Sequence, residues 1–325
     1  MAFIILVVLP AALLWPLKAI GERSNPDWVL QEHKASVWAM AFSPNGKWLV
    51  SGDEKGKLIS WNAKTMGQMH RFHSPISIRS ISFHPDSNSA FFGGVGGGDR
   101  LWPDGSGRPP SKGLSNEENK DKVFQYLYSP DSEMLAFVVD HSKVGFVVLA
   151  TNDVRVLPET SRVGRAITFS PDAKRLALRF GTDVLIHDLA THQTIKKVKF
   201  GATVARLGYA PDGRLFAVFW ANEGNKVAYG YFDPLLQNKR FVGKTLAHPP
   251  RYMALSVNGD RIAVCGVSGF IRVFDTTTEK ELFRFNTRSD VTCIALSPDG
   301  NTLACAGSSD GAIRVWDLSK RKLRS

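Results

Sequence analysis

A chain of 325 residues, 43% hydrophobic and 22% charged, has the make-up of a folded globular protein and not of a disordered or fibrous one. Three cysteines, Cys265, Cys293 and Cys305, are too few and odd in number for a disulfide framework. The formal charge of +11, from 41 Lys and Arg against 30 Asp and Glu, favours anionic surroundings and says nothing about fold.

Residues 1–21 stand apart as an apolar leader. Ala2 to Leu17 carries no charge, and Lys18 and Arg23 follow. Such a run lies between a signal-peptide core and a full membrane-spanning helix in length. Ala19-Ile20-Gly21 fits the small-x-small cleavage pattern, which favours a removed signal and an exported, soluble product. Positive charge only after the run favours a retained anchor whose C-terminal side is cytoplasmic. Both readings stand from the sequence.

From residue 27 onward one phrase recurs. Pro44, Pro85, Pro130, Pro171, Pro211 and Pro298 each sit in a Ser-Pro-Asp-like turn, and Val257 replaces proline in a further copy. Successive positions differ by 41, 45, 41, 40, 46 and 41 residues, a near-constant period of seven units. Two residues before the turn position stand Phe42, Phe83, Tyr128, Phe169, Tyr209, Leu255 and Leu296. Two earlier stand Met40, Ile81, Tyr126, Ile167, Leu207, Met253 and Ile294, with mostly small residues between. That alternation predicts a strand with one bulky and one slim face. A second strand follows the turn, carrying Leu49, Leu135, Leu176, Phe216, Ile262 and Leu303, then a third such as Lys57–Trp61 or Ile271–Asp275, then a variable fourth.

Two connections break the rhythm. Pro103 to Lys122 is Pro/Gly-rich and then charged, which reads as a long surface loop, and Trp220 to Lys226 lengthens a turn. Thr194–Lys199 reads as an outer strand whose lysines blunt edge pairing, and Ser319–Ser325 as a basic tail. The segment Asp27–His33 alternates like a strand, while the last unit has only three strands of its own. It is therefore expected to complete that unit and close a ring.

Trp61-Asn62, Phe232-Asp233, Phe274-Asp275 and Trp316-Asp317 end the third strands of their units, and Trp102 and His187-Asp188 match the position less well. At these residues the chain resembles the WD-repeat β-propeller family over about residues 27–323. The resemblance implies an all-β fold, a seven-bladed β-propeller of four-stranded antiparallel blades, acting as a non-enzymatic interaction scaffold with no cofactor. It also implies a hydrogen-bonded set of His, Ser or Thr, Asp and Trp within blades. Blade one offers His33, Ser51 and Trp61, with Lys55 in the Asp place. Blade seven offers Asp310 and Trp316, with Cys305 near the Ser place. The complete network is accordingly expected in no blade.

Catalytic and metal motifs give little. Gly307–Gly311 matches G-x-S-x-G but lies between strands, where no nucleophile elbow forms. Gly93–Gly98 lacks dinucleotide-loop spacing and reads as a blade turn. His70 and His73 fall on opposite faces of a strand. Cys293 and Cys305 are expected opposite one another across a hairpin centred at residue 299, as buried thiols or a disulfide. No catalytic, metal or cofactor residues are assigned, and no aromatic-and-basic platform for nucleic acid is present. The alternatives to a scaffold are an enzyme using the channel and the sensor portion of a larger membrane-associated system.

One ring of residues is a binding candidate. Six residues before each turn position stand Trp38, Arg79, Phe124, Arg165, Ala205, Arg251 and Thr292, with Arg206 one residue out of phase. If innermost strands line a channel, Trp38, Arg79, Arg165, Arg206 and Arg251 gather at one mouth. Guanidinium groups there suit an acidic protein partner, and the excess charge also suits an anionic membrane surface.

Overall fold

The computed structural model describes residues 25–94, 97–107, 123–139, 143–157, 163–199, 202–221, 227–232, 239–246, 250–266, 269–307 and 310–320. The leader 1–21, most of the 103–122 connection and residues 222–226 lie outside them. Every described element is a strand. The first is β1 (Trp28–Leu30), followed by β2 (Val37–Phe42), β3 (Trp48–Asp53), β4 (Lys57–Asn62) and β5 (Gln68–His73) as blade one. Blade two holds β6 (Ser80–Phe83), β7 (Ala90–Gly94) and β8 (Gly97–Leu101), three strands among the described residues. Blade three holds β9 (Val123–Tyr128), β10 (Met134–Val139), β11 (Lys143–Val148) and β12 (Asp153–Val156). Blade four holds β13 (Val163–Phe169), β14 (Arg175–Phe180), β15 (Asp183–Asp188) and β16 (Gln193–Lys199). Blade five holds β17 (Ala202–Tyr209), β18 (Leu215–Ala221), β19 (Val227–Phe232) and β20 (Lys239–Leu246). Blade six holds β21 (Pro250–Leu255), β22 (Arg261–Gly266), β23 (Phe270–Asp275) and β24 (Glu281–Asn286). Blade seven holds β25 (Val291–Leu296), β26 (Thr302–Gly307) and β27 (Ile313–Asp317).

The Ser-Pro-Asp phrase has a local physical cause. Ser43 Oγ donates to Asn45 Oδ1 at 2.8 Å and accepts from Trp48 N–H at 2.9 Å, so the serine pins the turn to the first residue of the next strand. Ser129, Ser170 and Ser297 make the same pair of bonds in their blades. Two residues after each turn position the backbone is left-handed in all seven copies: Gly46, Ser87, Ser132, Ala173, Gly213, Gly259 and Gly300. Glycine fills four of these without a steric cost, and the other three carry a Cβ there.

The alternation of bulk explains the ring. First strands of neighbouring blades lie side by side, and β2 packs on both β6 and β25. Seven apolar clusters occupy the seven joints between blades. At the joint of blades seven and one, Met40 and Phe42 share a cluster with Ala295, Ala304 and Ala306, bulk against slim residues as the repeat implied. The glycine run of blade two serves the same end, because Tyr126 of blade three lies where a Cβ on Gly93 or Gly98 would stand. These glycines form strand ends and a slim face, a packing role beyond the turn read from sequence.

The ring closes through the first strand. β1 pairs antiparallel with β27, Trp28 opposite Val315 and Leu30 opposite Ile313, and supplies the fourth strand of blade seven. Asp27 adds a carboxylate bond from Asp317 N–H at 2.9 Å. β16 is the outer strand of blade four, and its lysines stand at its solvent edge.

Two expectations are corrected. Blade one does carry a complete polar network, with Asp53 and not residue 55 as the acid. His33 donates from Nδ1 to Asp53 Oδ2 at 2.9 Å and accepts at Nε2 from the Ser51 hydroxyl at 2.8 Å. Ser51 Oγ in turn accepts from Trp61 Nε1 at 2.9 Å. Ser51 and Asp53 are two apart on β3 and so share one face, which brings the acid to the histidine without the turn position. The other Asp53 oxygen accepts from Lys55 and Lys57 N–H at 2.9 and 3.0 Å. Burial holds the His33 ring below its ordinary pKa, with Asp53 opposing, which fits a neutral ring in this chain of bonds.

Cys293 and Cys305 are not directly opposite. The turn sets Leu296 opposite Leu303, and in that register Cys293 pairs with Ala306 and Cys305 with Ile294, on the turn side of the bulge at Thr292. Cys293 then faces blade one and Cys305 faces blade six. All three cysteines are free and buried.

Candidate functional site

The ring of residues chosen from sequence has a structural meaning that the sequence did not supply. In blade one Val37 pairs with Asp53 and Ala39 with Gly52, so Trp38 is left out of the ladder. The same skip falls on Phe124, Ala205, Arg251 and Thr292 in blades three, five, six and seven. The position six residues before the turn is therefore a β-bulge, which bends the strand and re-aims its side chains.

A cavity of about 180 Å³ is lined by Ala39, Ser80, Gln125, Arg206, Tyr252 and Cys293, one from every blade but the fourth. All six stand five residues before the turn position, and all but Ser80 come one place after a bulge. Arg206, out of phase in the sequence pattern, is in phase with this lining. Trp38 and Arg79 join the wall from the earlier position. Arg251, the bulged residue of β21, does not: it is exposed and absent from the wall. The side chain of Arg165 lies outside those described. Three of the five candidates are thus brought together.

Both arginines of the wall stack on an aromatic ring from an adjoining blade. The Arg79 guanidinium lies 3.2 Å from the centre of the Trp38 ring, and that of Arg206 lies 4.9 Å from the Tyr252 ring. Such contacts are worth roughly 0.5–2 kcal/mol each and hold a planar cation in a fixed plane. Arg206 Nη1 also donates to the Ala205 carbonyl at 2.9 Å, tying it to the bulge. Ser80 Oγ donates to Tyr126 O at 3.1 Å and accepts from Tyr126 N–H at 2.9 Å, which joins blades two and three. Gln125 Nε2 donates to Ile167 O at 3.4 Å, joining blades three and four.

The electrostatics are one-sided. Two guanidiniums and no Asp or Glu appear among the described lining residues. Burial raises the Tyr252 hydroxyl, with Arg206 opposing, and pushes the Cys293 thiol up to about 12, so both are protonated near neutrality. Gln125 and Tyr252 were missed from sequence. Their signal was available: both share the phase of Arg206, five residues before the turn.

The remaining candidates are structural. His33, Ser51 and Trp61 form the network of blade one. Trp102 follows β8 and packs where a Cβ on Gly107 would stand. Asp310 pairs with Arg314 and accepts from Ala312 N–H at 3.0 Å. Trp316 is fully buried, and Asp317 caps the residues after β27 through Ser319 N–H at 3.0 Å. His70 and His73 alternate on β5, and among the described residues no group of His, Cys, Asp and Glu could hold a metal.

These blades can now be set beside known proteins. The family "WD domain, G-beta repeat" matches residues 24–62 and 279–317, the two segments on either side of the closing joint. The chain is a seven-bladed β-propeller that carries WD-repeat matches in these two segments. It is 22% identical to guanine nucleotide-binding protein subunit beta-1 of Nicotiana tabacum, over 89% of this chain and 82% of that protein. A guanine nucleotide-binding protein subunit beta of Oryza sativa subsp. indica is 23% identical with the same coverage. Among solved structures, the Cps50 (Swd1) β-propeller domain of Myceliophteria thermophila superposes with a TM-score of 0.75 at 16% identity, over 90% of this chain and 99% of that one. A chain of Kuenenia stuttgartiensis hydrazine synthase gives 0.74 at 12% identity, over 89% and 97%. At these identities the two structures share the propeller fold with this chain and no more. Each matched segment spans one outer strand and the next blade's first three, so the sequence repeat is offset from the blade. That offset is why β1 ends up in blade seven.

Proposed function

We propose that this WD-repeat propeller is a non-enzymatic scaffold that holds protein partners on the faces of its ring. The observation that carries the reading is the likeness to guanine nucleotide-binding protein beta subunits, which runs along 89% of the chain and not through one repeat alone. Those relatives are by name subunits of a larger assembly. The cavity adds support, because it is walled by stacked cations, protonated groups and small residues and not by a nucleophile paired with a base. Loops on a rigid ring can diverge without disturbing the joints between blades, which is how partner choice changes on such a frame.

In this reading the leader 1–21 keeps the propeller at a bilayer, and the +11 charge suits an acidic partner or an anionic membrane surface. The leader is tested by extraction: retention through high salt and alkali with release by detergent is expected. A soluble product beginning near Glu22 would establish cleavage and export instead. The scaffold reading is tested by capture from native membranes with the full chain, followed by reconstitution of the recovered partner at fixed stoichiometry from purified proteins. Turnover in a broad hydrolase screen that disappears in Arg206→Gln would overturn it in favour of channel catalysis.

A further inference from the structure

We propose that this protein pairs with a second copy of itself through the free edge of β12, the outer strand of blade three, in an antiparallel register centred on Val154. This self-association goes beyond the scaffold reading and does not depend on it. β12 ends its sheet, with β11 on one side and no strand on the other among the described residues. All four of its residues are exposed, Val154 by 58% and Val156 by 57%. Other outer strands are blunted. β5, β16, β20 and β24 each meet their neighbour through a register shift, and β1 has only three residues, with Lys320 over its Trp28 ring. β12 meets β11 in unbroken register and carries no lysine. Bulges and lysines keep sheet edges from pairing, and β12 lacks both.

The backbone fixes what the edge offers. Leu157 N–H donates to Val144 O at 2.8 Å, and the Arg155 carbonyl oxygen lies 2.7 Å from where a Cβ on Gly145 would stand. Residues 155 and 157 therefore turn their polar groups to β11, and by the alternation of an antiparallel ladder those of Val154 and Val156 point outward. The side chains fix the occupant. β12 reads Asp153-Val154-Arg155-Val156. With Val154 opposite Val154 of the other copy, Asp153 of each copy lies opposite Arg155 of the other. One two-fold axis thus supplies a reciprocal pair of backbone hydrogen bonds, a valine contact and two opposite-charge pairs. Arg155 now meets Asp153 of its own strand at 3.3 Å and His192 Nε2 at 2.9 Å, exposed contacts of little worth that do not hold it from a facing carboxylate. A slip of one residue sets the valines on opposite faces, and a slip of two sets Arg155 against Arg155.

The test uses the purified full chain in detergent under a mild oxidant, at about 0.1 mM because so small a contact makes a weak dimer. Val154→Cys places two thiols across the two-fold axis, where facing Cα atoms of a hydrogen-bonded pair stand about 5.5 Å apart, within disulfide reach. The native cysteines are all buried and do not compete. A disulfide-linked dimer of twice the 35.8 kDa chain is expected. Ile195→Cys, at a similarly exposed site on β16, reports chance encounters and association through the leader, and should yield at least about tenfold less. Asp153→Arg in the Val154→Cys chain opposes like charges twice and should lower the yield about tenfold. Adding Arg155→Asp restores both pairs in reversed order and should recover it. Unchanged melting temperatures show that these surface variants fold. No dimer from Val154→Cys, an equal yield from Ile195→Cys, a higher yield from Arg155→Cys, indifference to Asp153→Arg, or no recovery on adding Arg155→Asp overturns the proposal.

Discussion

Blades one and seven sit on either side of the closing joint, share the family match, and are held together differently. In blade one a chain of hydrogen bonds runs from Trp61 through Ser51 and His33 to Asp53, every member buried. In blade seven the serine place holds Cys305, and Thr287 stands where His33 would, bonded to Gly269 O and Ser289 O. Trp316 Nε1 is buried without a partner among the described residues. The ring of Trp316 instead packs on Phe285 at 4.9 Å within the cluster between blades six and seven. One fold position is thus served by a polar network in one blade and by apolar contact in the other. A buried tryptophan supplies so much apolar area that a lost hydrogen bond, about 1 kcal/mol, is tolerated.

The joint itself should matter more than either solution. Deleting Asp27–His33 removes β1 and the head of the network, leaving β27 as a bare edge beside an opened core. A loss of at least about 4 kcal/mol is expected, visible as a collapse of the melting temperature. An unchanged melting temperature would show that blade seven stands on three strands.

The two blades are separated next by matched truncations. Ser51→Ala strips a partner from both Trp61 and His33 and should cost about 2–3 kcal/mol in a denaturant titration. Cys305→Ala removes only packing and should cost about 1 kcal/mol. Equal losses would mean that the network adds nothing beyond packing.

Between pH 7 and pH 5, acid should act on the His33 network of blade one. The unfolded chain takes up a proton at His33 near its ordinary pKa of 6.5, while burial keeps the folded ring neutral to lower pH. Stability from this site is therefore complete above about pH 6.5 and declines as pH falls below it, until the folded ring itself protonates. Melting curves of wild type and His33→Gln between pH 7 and pH 5 should converge on acidification; parallel curves would contradict this.

The smallest effect concerns the left-handed turn position. Ser132 holds a φ of 66° where blades one, five, six and seven have glycine. Ser132→Gly should gain about 0.5–1 kcal/mol by relieving that conformation, set against the greater freedom of glycine in the unfolded chain. A loss of stability would mean that the serine side chain holds the turn.

Seven turns in near-constant register, with bulky and slim residues alternating before each, determined the propeller from sequence alone, because a four-stranded blade cannot bury both faces unless its neighbours cover them. The spare strand at residues 27–33 and the three-stranded last unit likewise determined where the ring closes. Tertiary structure decided what single-residue shifts control. In the five blades whose innermost strand bulges at the sixth place before the turn, the residue at the fifth place lines the cavity, which brought in Gln125 and Tyr252 while Arg251 stays outside. The register set by the turn at 297–302 likewise turned Cys293 and Cys305 toward different blades. Strand pairing has a period of two, so one extra residue reverses every face beyond it. The acid of blade one was decided in the same way, when Asp53 reached His33 from the strand because it shares a face with Ser51.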